Sequence, residues 1–220
     1  MLKKLILLFI ASLSVIEINA QARWGVEAGV NLSFPSSTNE TKAGWNVGLI
    51  GEYNMNKGLF AETALKLTSK PFCSTNSWKL TKMPVSDWQE ATGYGWTGTP
   101  YYLNIPLRMG YKIDLKAASL SLAAGPYIGF GLFGTAYHHY QYLKKGEKEY
   151  RHIETPEEDD IFGRDLMTNV EAGVSLRLGA EVAKHYRLSA EYNLQLNKML
   201  KNQPITEHNQ TLSINIGYMF

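Results

Sequence analysis

A nearly balanced charge excludes one class of partner for this 220-residue chain: 22 Lys and Arg against 20 Asp and Glu leave only +2, too little for a nucleic-acid footprint. The single cysteine, Cys73, excludes an internal disulfide and is weak evidence for nucleophilic chemistry. The length suits one domain, and after the N-terminus no stretch stays apolar for the ~20 residues a membrane helix needs.

Met1–Ala20 reads as a secretory signal peptide. Lys3 and Lys4 give the positive start, Leu5–Ile16 the apolar core, and Ala20-Gln21-Ala22 an A-x-A site, so cleavage after Ala20 or after Ala22 fits. Glu17 and Asn19 interrupt the apolar run and disfavour an uncleaved anchor. Residues 21–220 are then the folded domain.

That domain alternates with period two, the side-chain period of a strand. Trp24, Val26, Ala28, Val30 and Leu32 oppose Gly25, Glu27, Gly29, Asn31 and Ser33. Gly44–Asn54 sets Trp45, Val47, Leu49 and Tyr53 against Asn46, Gly48 and Glu52, with Ile50 breaking the polar face. After a short turn at Met55–Gly58, Leu59, Ala61, Leu65 and Leu67 oppose Glu62, Lys66 and Thr68. A long polar connection is predicted at Ser69–Thr99. Tyr101–Ile113 sets Leu103, Ile105, Leu107, Met109 and Tyr111 against Asn104, Arg108 and Lys112. Pro106 falls in mid-strand, where it cannot donate to a ladder, so a local bulge is predicted there. Asp114–Ala117 turns back, and Ala118–Gly134 forms the fifth strand. A second long connection is predicted at Thr135–Asp165, with the acidic run Glu157-Glu158-Asp159-Asp160.

Asn169–Val182 sets Val170, Ala172, Val174, Leu176 and Leu178 against Glu171, Ser175 and Arg177. Ala183-Lys184-His185 turns into Tyr186–Leu196, where Arg187, Ser189 and Glu191 share the polar face. The last strand alternates without error: Leu212, Ile214, Ile216, Tyr218 and Phe220 face one way, Thr211, Ser213, Asn215, Gly217 and Met219 the other.

Eight strands of about ten residues, the length that crosses a membrane when tilted, alternate long and short connections. Together with the signal peptide and the terminal Phe220, this predicts an all-β, eight-stranded antiparallel up-and-down barrel of the bacterial outer membrane. Its short turns and both termini are expected in the periplasm, and its long loops outside. A soluble barrel of the same strand number would turn its apolar face inward around a ligand. Here the polar face carries Glu27, Glu52, Glu62, Glu171 and Glu191 with Lys66, Arg108, Lys112, Arg177 and Arg187. Buried charges persist only when paired, so an interior charge network is expected. Aromatics near the strand ends, among them Trp24, Trp45, Tyr53, Tyr101, Tyr111, Tyr186, Tyr192, Tyr218 and Phe220, suit interfacial belts.

Three stretches carry a family resemblance. Trp24-Gly25-Val26-Glu27-Ala28-Gly29-Val30-Asn31-Leu32-Ser33 resembles the first strand of the outer-membrane β-barrel family widespread in Bacteroidetes-type bacteria, the porin-family or PorT-like proteins. Tyr102-Leu103-Asn104-Ile105-Pro106-Leu107, with its proline, is similar to that family's fourth strand, and Ala124-Gly125-Pro126-Tyr127-Ile128-Gly129 to its fifth. The resemblance covers most of the domain, implies no shared catalytic residues, and through its PorT branch implies a role in protein secretion.

Eight strands leave an interior that side chains fill, which argues against a diffusion pore. The leading expectation is a non-enzymatic barrel acting through its outer loops in surface interaction or envelope integrity. Trp78, Trp88, Tyr94 and Trp96 in one loop, and Tyr137, His138, His139, Tyr140, Tyr142 and Tyr150 in the next, suit recognition, or mutual packing above the membrane. The expected partners are outer-membrane lipid, the barrel-assembly machinery through the C-terminal strand, and a surface ligand or envelope protein. The alternative is a subunit of a secretion or transport assembly. A lipid- or peptide-hydrolysing barrel would need His138 or His139 to meet Asp159, Asp160 or a loop Ser, which the spacing does not show. A metal site would draw on His138, His139, His152 and the acidic run, but adjacent His138 and His139 point to opposite faces of a strand and make a poor ligand pair. No cofactor is expected.

Overall fold

The computed structural model describes residues 22–36, 41–74, 78–79, 88–144, 149–158, 161–162, 167–199 and 208–220. The segment Met1–Ala20, expected to be a signal peptide, lies outside them. Eleven strands are described: β1 (Ala22–Pro35), β2 (Lys42–Asn54), β3 (Leu59–Ser69), β4 (Phe72–Ser74), β5 (Trp78–Lys79), β6 (Trp88–Asp114), β7 (Ala118–Lys144), β8 (Tyr150–Glu158), β9 (Val170–Val182), β10 (Tyr186–Gln195) and β11 (Asn209–Met219). Eight of them, β1, β2, β3, β6, β7, β9, β10 and β11, pair antiparallel in a closed ring. The ring closes where β1 meets β11, from Gly25 opposite Met219 to Pro35 opposite Asn209. Beyond that ladder the Phe220 amide still donates to the Trp24 carbonyl (2.7 Å). This is an all-β, eight-stranded barrel without a free edge in its wall, so its backbone groups are satisfied internally, as hydrocarbon requires.

The period of two decides which side chains go where. Outward stand Val26, Val30, Leu49, Leu107, Met109, Leu122, Leu178 and Ile216, the last 68 % exposed. Inward stand the polar and charged partners. Ile50, which interrupts the polar pattern of β2, is also inward and buried, clustered with Ala64 and Met219. Two aromatic belts bound the apolar wall. At the short-turn end Trp24 stacks on Phe220 (4.1 Å), and Tyr218 meets Phe220 (5.3 Å) and Tyr186 (5.5 Å). At the other end Tyr101 lies between Phe133 (4.6 Å) and Trp45 (5.9 Å).

The turns at the lower end are tight. Lys57 and Gly58 take φ of 63° and 80° between β2 and β3, and Ala183 and Lys184 take 52° and 63° between β9 and β10. Two consecutive positive φ values match the twist of a short hairpin.

Two expectations are corrected. First, Pro106 makes no bulge: the β3–β6 register is the same on either side of it, Thr63 opposite Leu107 and Lys66 opposite Asn104. Pairing lapses at Pro106 and its neighbour Ile105, and there the Thr63 hydroxyl donates to the Pro106 carbonyl (2.9 Å). A side-chain donor steps in without an extra residue. The irregularities of this hairpin lie higher, between Trp88 and Glu90, Gly93 and Gly95, and Tyr101 and Tyr102.

Second, the long connections are largely strand. β6 and β7 continue past Tyr101 and Phe133 to pair Trp88 with Lys144. β4 and β5 flank β6 on one side, and β8 flanks β7 on the other. The segments read as Ser69–Thr99 and Thr135–Asp165 loops thus build a sheet that rises from the barrel rim. No helix among the described residues is long and apolar enough to cross a membrane.

Candidate functional site

The barrel interior is a stack of ion pairs. Nearest the short turns, Glu52 pairs with Lys112 and Arg187, and Glu181 with Arg23 (2.8 Å) and Arg187 (3.0 Å). In the middle, Glu62 accepts from Arg177 (3.0 Å) and Arg187 (2.9 Å) and lies 3.0 Å from Arg108. Arg108, 0 % exposed, also reaches Glu191 (3.1 Å) and donates to the Ser175 hydroxyl (2.9 Å). Lys66 bridges Glu27 (2.6 Å) and Glu191 (2.5 Å), and Arg177 donates to Glu27 (2.7 Å).

Above these, Asn46 donates to Asn31 (2.7 Å) and Asn215 (2.8 Å), while Lys70 pairs with Glu171 (2.6 Å). The Lys70 ammonium lies 5.4 Å from the centre of the Tyr102 ring and 5.3 Å from that of Tyr127, whose hydroxyl donates to Glu171. Such contact with ring faces further stabilises a desolvated cation.

The register explains why these charges meet. One inward row runs Glu181, Arg187, Gly217, Glu27, Gly48, Lys66, Asn104, Gly129 and Glu171 from strand to strand. Glycines interleave with long side chains and leave them room. All ten charges named from the sequence, Glu27, Glu52, Glu62, Lys66, Arg108, Lys112, Glu171, Arg177, Arg187 and Glu191, stand inside and in ion pairs. Lys112 is the one of them near enough to the lower mouth to be half-buried. Sequence reasoning missed Arg23, Lys70 and Glu181, although Arg23 and Glu181 keep the inward parity of β1 and β9, and Lys70, just past β3, continues the parity of that strand. The network is chemically self-consuming, since each carboxylate named here is held by a cation of the chain itself.

The C-terminal residues Leu212, Ile214, Ile216, Tyr218 and Phe220 lie on the outer face, with Phe220 and Tyr218 in the lower belt. Of the enzyme candidates, His139 Nε2 meets the Thr97 hydroxyl at 2.7 Å, and Thr97 Oγ1 lies 3.6 Å from Cys73 Sγ. Asp159 and Asp160 lie outside the described residues, as do the side chains of His138, His152, Trp78, Trp88, Tyr94, Trp96, Tyr140, Tyr142 and Tyr150. The backbones of Trp78, Trp88 and Trp96 pair in the rising sheet, opposite Gly93, Lys144 and His138. Among the described residues no group of three or more His, Cys, Asp or Glu is placed to hold a metal.

A closed barrel with an apolar outer wall, aromatic belts and an ion-paired interior is the class of the outer-membrane β-barrels. The sequence matches the model of the outer membrane protein β-barrel domain over residues 5–220, and the chain belongs to that family. The family places it in the bacterial outer membrane. Similar solved structures include Ail, the attachment invasion locus protein of Yersinia pestis (14 % identity over 91 % of this chain and 99 % of that one, TM-score 0.43). Neisserial surface protein A shares 14 % identity over 90 % and 97 % (TM-score 0.44). The N-terminal barrel domain of OprF from Pseudomonas aeruginosa shares 12 % over 91 % and 100 % (TM-score 0.32). At these identities the likenesses carry no argument about ligand or activity. No curated protein matches the chain.

Proposed function

We propose that this protein is a non-enzymatic outer-membrane barrel that presents a rigid sheet at the cell surface for recognition or envelope contact. One observation carries the reading: β7 continues for the residues Gly134–Lys144 beyond Phe133 of the upper belt, paired throughout with β6 and flanked by β4, β5 and β8. At ~3.3 Å per residue that is roughly 35 Å of strand. Two paired strands of that length hold a surface in place where a loop would not. The described face includes Thr135, Tyr137 and Thr97, the amphipathic and hydroxyl residues that suit adaptable contact. Inside the barrel each named carboxylate is already held by a cation of the chain, which turns the reading toward the sheet.

In this reading Met1–Ala20 is removed, the termini and short turns lie in the periplasm, and the rising sheet lies outside. Outer-membrane lipid surrounds the wall, and β11 is the strand by which the assembly machinery takes hold. The finer kinship with the Bacteroidetes-type, PorT-like proteins rests on the motifs at residues 24–33, 102–107 and 124–129, and no residue selects the secretion branch.

The test compares the intact protein with one whose rising sheet is removed by replacing residues 71–99 and residues 135–160 each with Asn-Gly, at points where Lys70 already bonds to Pro100 and Ile161 to Gly134. Both are recovered from outer membranes in mild detergent, and co-purifying proteins are identified by mass spectrometry. Recognition through the sheet requires that the shortened barrel still fold while specific partners disappear. The same partners on both would assign contact to the barrel wall and refute the proposal.

A further inference from the structure

We propose that Ile161 and Phe162 form a plug that closes the outer mouth of the barrel and controls the access of water to the charges beneath it. Both residues are buried, at 1 % and 5 % exposure, in a cluster with Phe72, Tyr102, Ala136, Met167 and Met199. They come from the segment between β8 and β9, yet they sit on the inner faces of β6 and β7. The socket there is made of missing side chains. A Cβ placed on Gly131 would lie 2.5 Å from the Phe162 ring. One on Gly98 or Gly134 would lie 2.8 Å or 2.9 Å from Ile161. A contact under 3.0 Å forces one side to shift, so a side chain at Gly131 would crowd the Phe162 ring, and one at Gly98 or Gly134 would press on Ile161 as well as on the neighbouring strand.

Main-chain bonds hold the plug in the socket: the Ile161 amide donates to the Gly134 carbonyl (2.9 Å) and the Gly131 amide to the Asn169 carbonyl (2.7 Å). Below, the Phe162 ring meets the edge of Tyr102 (5.3 Å, 80°), and Tyr102 in turn covers the Lys70 ammonium. The order from outside to inside is therefore plug, tyrosine, ion pair. Lys70 and Glu171 are the first charges that water would reach with the plug displaced, while the layers around Glu62 and Glu191 still fill the barrel below. The plug makes the upper interior a closed vestibule, and its displacement opens that vestibule without opening a through-pore. It also ties the chain leading to β9 to the base of the rising sheet.

The inference stands independently of the recognition reading and is tested by thiol labelling of the full-length barrel folded in phospholipid vesicles. The background is Cys73→Ser, which removes the single cysteine. Asn104→Cys places a reporter two residues below Tyr102 on β6, where the amide oxygen has no hydrogen-bond partner to lose. Ser119→Cys, near the opposite mouth, is the control. The probe is a cationic methanethiosulfonate. With the plug in place the reporter at 104 should react slowly. Phe162→Ala should speed it by about tenfold or more, equivalent to ~1.4 kcal/mol of closing free energy, with the control unchanged. Gly131→Val should do the same by expelling the ring, and Phe162→Ala decides the matter where the valine variant does not fold. Equal rates with and without the plug, whether fast or slow, would overturn the proposal. So would a parallel rise at position 119, which would mean that the whole barrel had loosened.

Discussion

The pair Lys70–Glu171 gives the sharpest energetic prediction. Lys70 is 1 % exposed and Glu171 2 %, so neither charge is screened by solvent. Removing one partner of a buried pair leaves an uncompensated charge, at a cost of about 3–5 kcal/mol. Glu171→Leu leaves Lys70 with the Tyr102 and Tyr127 rings but without its acid, and also takes the acceptor from the Tyr127 hydroxyl. We expect a loss of about 4 kcal/mol. Lys70→Met is milder, about 2–3 kcal/mol, because Glu171 keeps the Tyr127 hydroxyl as a donor. The double variant removes both charges and fills the space with apolar volume, an exchange that is often near neutral. It should lie within ~1–2 kcal/mol of the parent, so the coupling energy is at least ~3 kcal/mol. Equilibrium urea unfolding in vesicles, followed by tryptophan fluorescence and by band shift on unheated gels, reads all four proteins. Additive single losses, within ~0.5 kcal/mol, would show that the two side chains do not share a buried site.

Three further predictions bear on the wall. Leu176 stands outward at the centre of β9, 47 % exposed, so Leu176→Arg should destabilise the membrane-folded state by about 2–4 kcal/mol, and a neutral result in vesicle unfolding would mean that the faces are reversed. Gly125→Ala should lower the folded fraction sharply, because its Cβ would lie 2.0 Å from the Leu107 carbonyl oxygen, whereas Gly51→Ala, whose nearest atom is 3.9 Å away, should fold normally; equal yields on refolding gels would refute the strand approach at Gly125. The closed barrel should migrate differently before and after boiling on a denaturing gel, and identical migration would count against closure.

How much of this was legible in the sequence depends on what each segment faces. Where one side meets lipid and the other an ion-paired interior, alternation is enforced at every residue, and strands such as Val170–Val182 can be read directly. Past the upper belt that constraint ends. The stretch Thr92–Thr99 is Gly- and Thr-rich because neither face meets hydrocarbon, so it looks like a loop although it pairs as strand. Lys70 was hidden for the same reason: it follows the last lipid-facing Leu67 and reads as the start of a connection. Glu181 and Arg23 kept the inward parity of their strands and could have been found by carrying the alternation to the strand ends, four residues past Arg177 and two before Gly25. Ile161-Phe162 could not, since a two-residue apolar step after an acidic run has no period, and its place is fixed by glycines far away in sequence. The bulge expected at Pro106 does not form: the ladder skips two pairs and resumes in the same register, while the Thr63 hydroxyl serves the proline's carbonyl, an arrangement that only the register reveals.

The central claim, an outer-membrane barrel that holds a sheet outside the cell, is tested most directly by surface labelling of intact cells. A short epitope is inserted after Gly146, between β7 and β8, and in a second protein after Lys184, in the β9–β10 turn. Antibody should bind whole cells carrying the first and bind the second only after the outer membrane is opened. Binding to the Lys184 epitope on intact cells, or failure to reach the Gly146 epitope in protein shown to be folded, would contradict the account.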